Sequence, residues 1–283
     1  MNFGNAVKWA VSQLSEAGVD SPVLDAQLIV AHAVGCSRLD IIAHPERPVP
    51  DPRVVQRLRL LVGCRTARYP LAYVIGYKEF HGLDIIVTSW VLVPRPETEI
   101  LVDECIQRLN GLPNPRIADI GAGSGAISVA IASSLPRAEV YATEISTKAM
   151  QVAEANVEKH FLAGRVKLLQ GDMLEPLVGL GIKFDAIVSN PPYIPSADIE
   201  SLQPEIRDYE PRLALDGGPD GLDAYRRILP ESRGLLNDAG FVAVEMGIGE
   251  AEAVKAIAIA SGYREVEIIR DLAKIERVLV ARK

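Results

Sequence analysis

The sequence predicts an α/β protein: a seven-stranded, mostly parallel sheet with helices on both faces and an antiparallel hairpin at its end, preceded by a small all-helical domain. Three observations predict it. Past residue 110, short β-rich runs alternate with helical stretches, and such alternation builds a parallel sheet buried on both faces. Near the C terminus two strand-like runs are separated only by Asp271-Leu272-Ala273-Lys274, which leaves no room for a crossover helix and makes that pair antiparallel. The first seventy or so residues carry helical periodicity alone.

Taken in order, the expected parts are a helical domain over 1–73, a β-hairpin linker over 74–95 and the α/β domain over 96–283. Ser21-Pro22 reads as an N-cap followed by proline at the first helical position, and Leu24, Leu28 and Ala31 then recur on one face until Gly35. Asp51-Pro52 repeats that start signal ahead of Val54, Val55, Leu58, Leu61 and Val62. Between 74 and 93 the period changes, and Phe80, Leu83, Ile85 and Val87 around His81-Gly82 predict a hairpin. Pro94-Arg95-Pro96-Glu97-Thr98-Glu99 introduces a helix through about Leu109, because prolines enter a helix but do not continue one. Strands are expected at 116–120, 139–143, 166–169, 184–189, 241–245, 263–270 and 277–281, with helices at 126–135, 147–160 and 222–236.

Composition narrows the function classes. The chain has 283 residues, 48% hydrophobic and 24% charged, enough for a full core without disulfide staples. Thirty Lys plus Arg against 37 Asp plus Glu give a net charge of -7, which disfavours a partner held mainly by its phosphates. Cys36, Cys64 and Cys105 are far apart and form no CxxC pair, as in proteins of reducing compartments. No stretch matches a secretory signal or the roughly 20 apolar residues of a membrane span, so a cytoplasmic location is expected. His32, His44, His81 and His160 show no ligand spacing, and no metal site is expected.

The run 116–120 leads through Gly121-Ala122-Gly123-Ser124-Gly125 into a helix. Glycines there allow a tight turn and let a ligand approach main-chain amides at a helix start. With Ala126 the run also fits a relaxed dinucleotide pattern, so a nicotinamide or flavin enzyme stays open at this point. Glu144 ends the next strand, where a carboxylate accepts two hydrogen bonds from ribose hydroxyls, although a helix-start charge is the plain alternative. Asp172, in Gly171-Asp172-Met173-Leu174, ends the third, where it can accept from an adenine amino group while Met173 or Leu174 covers the ring; a simple turn aspartate before Pro176 is about as plausible locally. Three successive strand ends facing one edge of an open sheet favour a shared nucleoside.

The fourth strand ends in Asn190-Pro191-Pro192-Tyr193. A planar NH2 conjugated to a carbonyl or an aromatic ring is a weak nucleophile, because its lone pair is delocalised. Two oxygen acceptors that take both of its N–H bonds orient it and stabilise positive charge developing on nitrogen. Asn190 offers a side-chain carbonyl and Pro191 a main-chain carbonyl, the prolines stiffen the loop, and Tyr193 adds a flat face for packing. A proline-rich loop that merely ends a strand is the bland alternative.

On these residues the chain resembles class I S-adenosylmethionine-dependent methyltransferases, with Asp119 to Gly125 followed by the Asn190 tetrapeptide. Three further stretches, Pro70-Leu71-Ala72-Tyr73-Val74-Ile75-Gly76, Val93 with Pro94 to Glu99, and Glu210-Pro211-Arg212-Leu213-Ala214-Leu215-Asp216-Gly217-Gly218, make it similar to the HemK/PrmC family of protein-(glutamine-N5) methyltransferases. The resemblance implies S-adenosylmethionine as donor and, as acceptor, the glutamine of the Gly-Gly-Gln loop of peptide chain release factors. It further implies cofactor contacts at Asp119, Gly121, Ala122, Gly123, Gly125, Glu144, Asp172, Met173 and Asn190. Substrate contacts and catalysis fall to Asn190, Pro191, Pro192 and Tyr193. The family often has Asp where this chain has Glu144. A monomer that binds neither nucleic acid nor membrane is expected. The competing expectation is an adenine or guanine amino methyltransferase of nucleic acid, for which Arg53, Arg57, Arg59, Arg65 and Arg68 are the candidate basic patch. A non-catalytic cofactor-binding or interaction protein is the third class. Arg95 and Glu97 are open between binding the partner or the cofactor carboxylate and a structural charge at the helix start, and Glu99 reads as structural.

Overall fold

The computed structural model describes all 283 residues, which divide into two compact units, one comprising 1–77 with 203–209 and the other 78–202 with 210–283. The first unit is helical: α1 (Phe3–Glu16), α2 (Pro22–Val34), α3 (Arg38–Ala43), α4 (Pro52–Thr66) and α5 (Leu71–Ile75). Asn2 caps α1 by accepting from Asn5 N–H, and Ser37 with Asp40 forms a reciprocal capping box at α3. Asp51 caps α4 as its Asp-Pro pair predicts, whereas Ser21 makes no side-chain cap bond and Pro22 alone marks the start of α2. The core holds Phe3, Leu14, Ile29, Leu58 and Val62, all buried.

A buried ion network joins the 203–209 segment to the helices of this unit. Arg65 Nε donates to Asp25 Oδ2 at 2.7 Å and its Nη1 to Glu205 Oε1 at 2.8 Å, while Arg68 Nη2 donates to Glu205 Oε2 at 2.8 Å. Tyr209 adds a hydrogen bond to the Ala67 carbonyl and an edge-on contact with Tyr69.

A hairpin follows, beginning at Tyr77, the last residue of the 1–77 segment. Its strands are β1 (Tyr77–Phe80) and β2 (Leu83–Ile86), and its two turn residues, His81 and Gly82, both have positive φ, as the His-Gly dipeptide in a two-residue turn requires. The chain continues through α6 (Thr98–Leu109), β3 (Arg116–Ile120), α7 (Ala126–Ser134), β4 (Glu139–Glu144), α8 (Thr147–Lys159), β5 (Val166–Gln170), α9 (Glu175–Val178) and β6 (Phe184–Ser189). After the Pro204–Arg207 turn, α10, which packs in the first unit, come α11 (Asp223–Leu235), β7 (Leu236–Glu245), α12 (Ala251–Ala260), β8 (Glu265–Arg270) and β9 (Glu276–Arg282).

The seven strands lie in the order β5-β4-β3-β6-β7-β9-β8, parallel from β5 to β7, with β9 antiparallel to both β7 and β8. This is the expected sheet, and its nearly continuous burial along β3, β4 and β6 explains why those strands read as apolar runs. Several elements depart from the expectation, among them the short helices α9 and α10. β7 begins five residues earlier than the apolar run, on a polar Asn237-Asp238 stretch, and α12 was not anticipated because its Ala-rich sequence, a strong helix former, lacks an obvious polar face.

The sheet order reverses between β3 and β6: β4 follows β3 on one side, and β6 lies on the other. In register, Ile120 sits opposite both Thr143 and Ser189, so the strands end level and their following turns share one edge.

The ion network of the first unit yields a stability test. Removing Glu205 leaves two arginines, one of them buried, without their shared acceptor, so Glu205→Ala should cost about 3 kcal/mol in urea unfolding followed by far-UV circular dichroism, and wild-type stability would rule out the network's importance.

Candidate active site

The level strand ends open onto a cleft of about 880 Å³ lined by the turns after β3, β4, β5 and β6. Each turn is fixed by main-chain hydrogen bonds before any ligand is considered. Gly121 and Ala122 both donate their N–H to the Thr143 carbonyl, at 3.0 and 2.9 Å, which bends the chain out of β3 toward the end of β4. Gly121 (φ +73°) and Gly123 (φ +56°) occupy left-handed conformations that side chains resist, and open space lies where a Cβ would stand on either. The turn thus leaves an open cradle at these two glycines.

Glu144 stitches this turn to β4. Its Oε2 accepts from Gly123 N–H at 2.9 Å and its Oε1 from Ser146 N–H at 2.8 Å, and the carboxylate lines the cleft while almost wholly buried. Each oxygen keeps a further acceptor site, the arrangement a pair of vicinal hydroxyls needs. Asp172 and Met173 also face the cleft; Asp172 Oδ2 accepts from Arg227 at 2.8 Å, and Met173 adopts φ +47° at the turn. Leu174, the other candidate for covering a ring, is fully buried in the sheet core, so Met173 is the one available for that contact.

Two expected cofactor residues lie elsewhere. Asp119 is completely buried behind the turn, where its Oδ2 accepts from Ser128 N–H at 3.1 Å and from Ser128 Oγ at 2.5 Å, while its Oδ1 has no partner. It satisfies an orphan amide in the first turn of α7 and does not face the cleft. Burial pushes its carboxyl up to about 6 against the pull of the Ser128 hydrogen bonds. Gly125, also absent from the lining, packs against Ala153 of α8, where an added Cβ would stand 3.3 Å from that side chain.

At the end of β6, Asn190, Pro191 and Pro192 line the cleft. Asn190 Nδ2 donates to Thr98 Oγ1 at 3.0 Å, which leaves Oδ1 without a protein donor. Tyr193 turns the other way: its ring packs on the sheet core and its hydroxyl donates to Glu245 Oε1 at 3.3 Å. The flat face expected against a planar amide is thus an anchor for the loop.

That anchor is reinforced from outside. Ile194 N–H donates to the Leu215 carbonyl, Gly217 N–H to the Ile194 carbonyl and Ser196 N–H to the Gly218 carbonyl, each at 2.9–3.0 Å, so the 212–218 segment forms a wall beside the tetrapeptide. A Cβ on Gly217 would fall 2.7 Å from the Gly221 carbonyl oxygen and 2.8 Å from Tyr193 Cα, so glycine is obligatory there.

The 94–99 stretch is tied down residue by residue. Arg95 pairs with the buried Glu210 at 2.5 Å, and Glu210 also accepts from Val93 N–H at 3.1 Å. Glu97 lies 3.8 Å from Arg277, and Glu99 accepts from His81 N–H at the hairpin turn. Thr98, which the sequence reading passed over, is the member that touches Asn190; a lone threonine at a helix start carries no sequence signal beyond capping.

Residues 5–76 match the family described as PrmC N-terminal domain, and residues 97–205 the family described as methyltransferase small domain. The release factor glutamine methyltransferase of Moorella thermoacetica is 45% identical over 282 residues, covering 99% of this chain and 98% of that protein. The release factor glutamine methyltransferase of Geobacter sulfurreducens is 43% identical over 275 residues, covering 97% and 94%. Among solved structures, the hMettl16 catalytic domain in complex with MAT2A 3′UTR hairpin 6 superposes with a TM-score of 0.59 at 16% identity over 82% of each chain, a likeness of fold alone.

Asp119 makes a pH test possible. A carboxyl raised from 3.8 to about 6 by folding adds stability that is complete below pH 3.8 and lost as pH rises through about 6. Asp119→Asn should remove that component, seen as a flatter stability profile across this window in urea titrations at fixed pH; an unchanged profile would show that Asp119 does not titrate there.

Proposed function

Because the chain belongs to the release factor glutamine methyltransferase family, we propose that it transfers a methyl group from S-adenosylmethionine to the side-chain amide nitrogen, N5, of the glutamine in the Gly-Gly-Gln loop of peptide chain release factors. The observation that carries this reading is the pairing, on one sheet edge, of an open glycine cradle beside a two-toothed carboxylate with a free Asn190 oxygen at the next turn but two.

The residues fit the donor. The open space at Gly121 and Gly123 would take its chain, Glu144 would accept from its ribose hydroxyls, and Asp172 with Met173 would hold its adenine. Ala122 and Asn190 complete that lining. When bound, S-adenosylmethionine supplies an electrophilic methyl carbon on a positively charged sulfur.

The protein's own contribution is orientation and charge. Asn190 Oδ1 and the Pro191 carbonyl accept the two N–H bonds of the glutamine amide, which turns the nitrogen lone pair toward the cleft and stabilises the positive charge it acquires. Pro191 and Pro192 restrict the loop, and the Gly217 wall keeps it from yielding. Deprotonating an amide beforehand costs too much at neutral pH, so the proton leaves with or after methyl transfer and no strong base is required. The helical unit is assigned to recognition of the release factor.

The basic patch of the nucleic-acid alternative is weakened by pairing. Arg65 and Arg68 are committed to Asp25 and Glu205, Arg53 is paired with Asp51, and Arg57 bonds His32, which leaves Arg59 as the uncommitted member of the five.

Incubation with methyl-labelled donor and either a release factor or RNA tests the reading. Label on the Gly-Gly-Gln glutamine, abolished when that glutamine is replaced, is the expected result, and label on RNA instead would overturn it. Asn190→Ala should lower turnover by about a hundredfold or more while cofactor affinity by calorimetry stays within about twofold. Glu144→Ala should do the reverse, weakening cofactor binding by about tenfold or more.

A further inference from the structure

An aspartate on a turn can aim its carboxylate in several directions, and only some of them let Asp172 meet the adenine amino group assigned to it above. The residue that decides lies 55 positions further along the chain. Resting on that reading of Asp172, we propose that Arg227 is a positioning residue: it holds one carboxylate oxygen and so presents the other to a purine amino group, which makes the pair a selector for adenine over a purine carrying oxygen at the same place.

The turn that carries Asp172 is fixed by its main chain. Gly171 N–H donates to the Glu144 carbonyl at 3.0 Å, and Glu175 N–H donates to the Asp172 carbonyl at 3.1 Å. Gly171 has no room for a side chain, because a Cβ there would collide with the Pro176 ring. These constraints place the Asp172 backbone and leave the rotation of its carboxylate open. Arg227 closes that freedom: its Nη2 donates to Oδ2 at 2.8 Å, while no protein group donates to Oδ1. Both residues line the cleft, so Oδ1 is the acceptor on offer there. An ionised carboxylate accepts and never donates, which suits a purine N–H and opposes a purine oxygen.

Arg227 can hold that oxygen steadily because its helix is anchored at several points. Ala224, Tyr225, Ile228 and Leu229 of α11 are buried in the sheet core, Tyr225 Oη donates to the Glu245 carbonyl at 2.9 Å, and Asp223 N–H donates to the Gly217 carbonyl at 3.1 Å. The neighbouring Arg226 is taken up by Asp220 and Asp223, and the other carboxylate near Arg227, that of Glu231, lies 4.0 Å from Nε one turn along the same helix. The Arg227 and Asp172 side chains are 40% and 36% exposed, and an ion pair so open to water adds little to stability. What the pair contributes is direction at the lip of the cleft.

Calorimetry with S-adenosylhomocysteine and its deaminated analogue S-inosylhomocysteine reads this direction without turnover. The wild type should bind the adenosyl compound at least about tenfold more tightly than the inosyl one. Arg227→Met, which keeps a long stem and removes the charge, should shrink that preference to within about threefold while Tm stays unchanged. Arg227→Lys should recover it to within about twofold of wild type, because a single N–H bond is in play and no fork is needed. Adding Arg227→Met to Asp172→Ala should lower the preference no further than Asp172→Ala alone, as expected of a residue that acts through another. A folded Arg227→Met with the wild-type preference overturns the proposal, as does one that loses affinity equally for both compounds. Should the methionine variant fail to fold, Arg227→Gln carries the same two outcomes. Asp172→Ala separates the levels: if it abolishes the preference while Arg227→Met keeps it, only the positioning role fails; if it keeps the preference, or the wild type has none, the adenine reading of Asp172 fails and the positioning role with it.

Discussion

Parallel pairing of β3 with β4 on one flank and β6 on the other is the constraint on which the rest of this architecture depends. β3 has five residues, its last four buried, and it stays in place only because both neighbours run in its direction and in register. Parallel strands cannot be joined by tight turns, so every connection must leave the sheet over the same edge and come back through a helix. The turns that begin those excursions are therefore crowded together. Main-chain amides, a carboxylate and a carboxamide meet there because the strands stop level, with no long-range device needed to gather them.

What distinguishes the site electrostatically is how differently four buried acidic groups are treated. Glu144 receives two main-chain amides and has acceptor capacity to spare. Glu210 is matched by Arg95 and an amide, and it clamps the segment before α6 to the wall beside the tetrapeptide. Asp119 serves a helix start and has one oxygen unpaired, and Glu245 receives the Tyr193 hydroxyl on one oxygen and no partner on the other. The first two are the better partnered, although burial raises the Glu210 carboxyl against the pull of Arg95 and the Val93 amide. The latter two sit with their carboxyls raised by desolvation, in the range where protonation is accessible. Of these, Glu245 is the one in contact with the loop that carries Asn190.

The stiffness of that loop comes from several weak constraints acting together. Two prolines fix φ, the partly buried Tyr193 ring packs on the sheet core, three main-chain bonds join the loop to the 212–218 wall, and Gly217 lets the two segments touch. A catalytic carboxamide misplaced by a fraction of an ångström loses most of its value.

Much of this was legible in the sequence because it depends on local chemistry. The alternation of strands and helices, the short spacer that makes the last pair antiparallel, the His-Gly turn, and the positions of Gly121, Gly123, Glu144 and Asn190 at strand ends all follow from periodicity, steric freedom and chain reach. Roles that depend on what a side chain meets across the fold were not legible. Asp119 and Gly125 belong to the glycine motif yet serve packing, Tyr193 reaches inward, three of five arginines are taken into ion pairs, and Thr98 meets Asn190 across 92 positions of chain. A sequence states which groups are available and how each residue bends the backbone, whereas donor and acceptor partners are chosen by burial, which only the assembled sheet imposes.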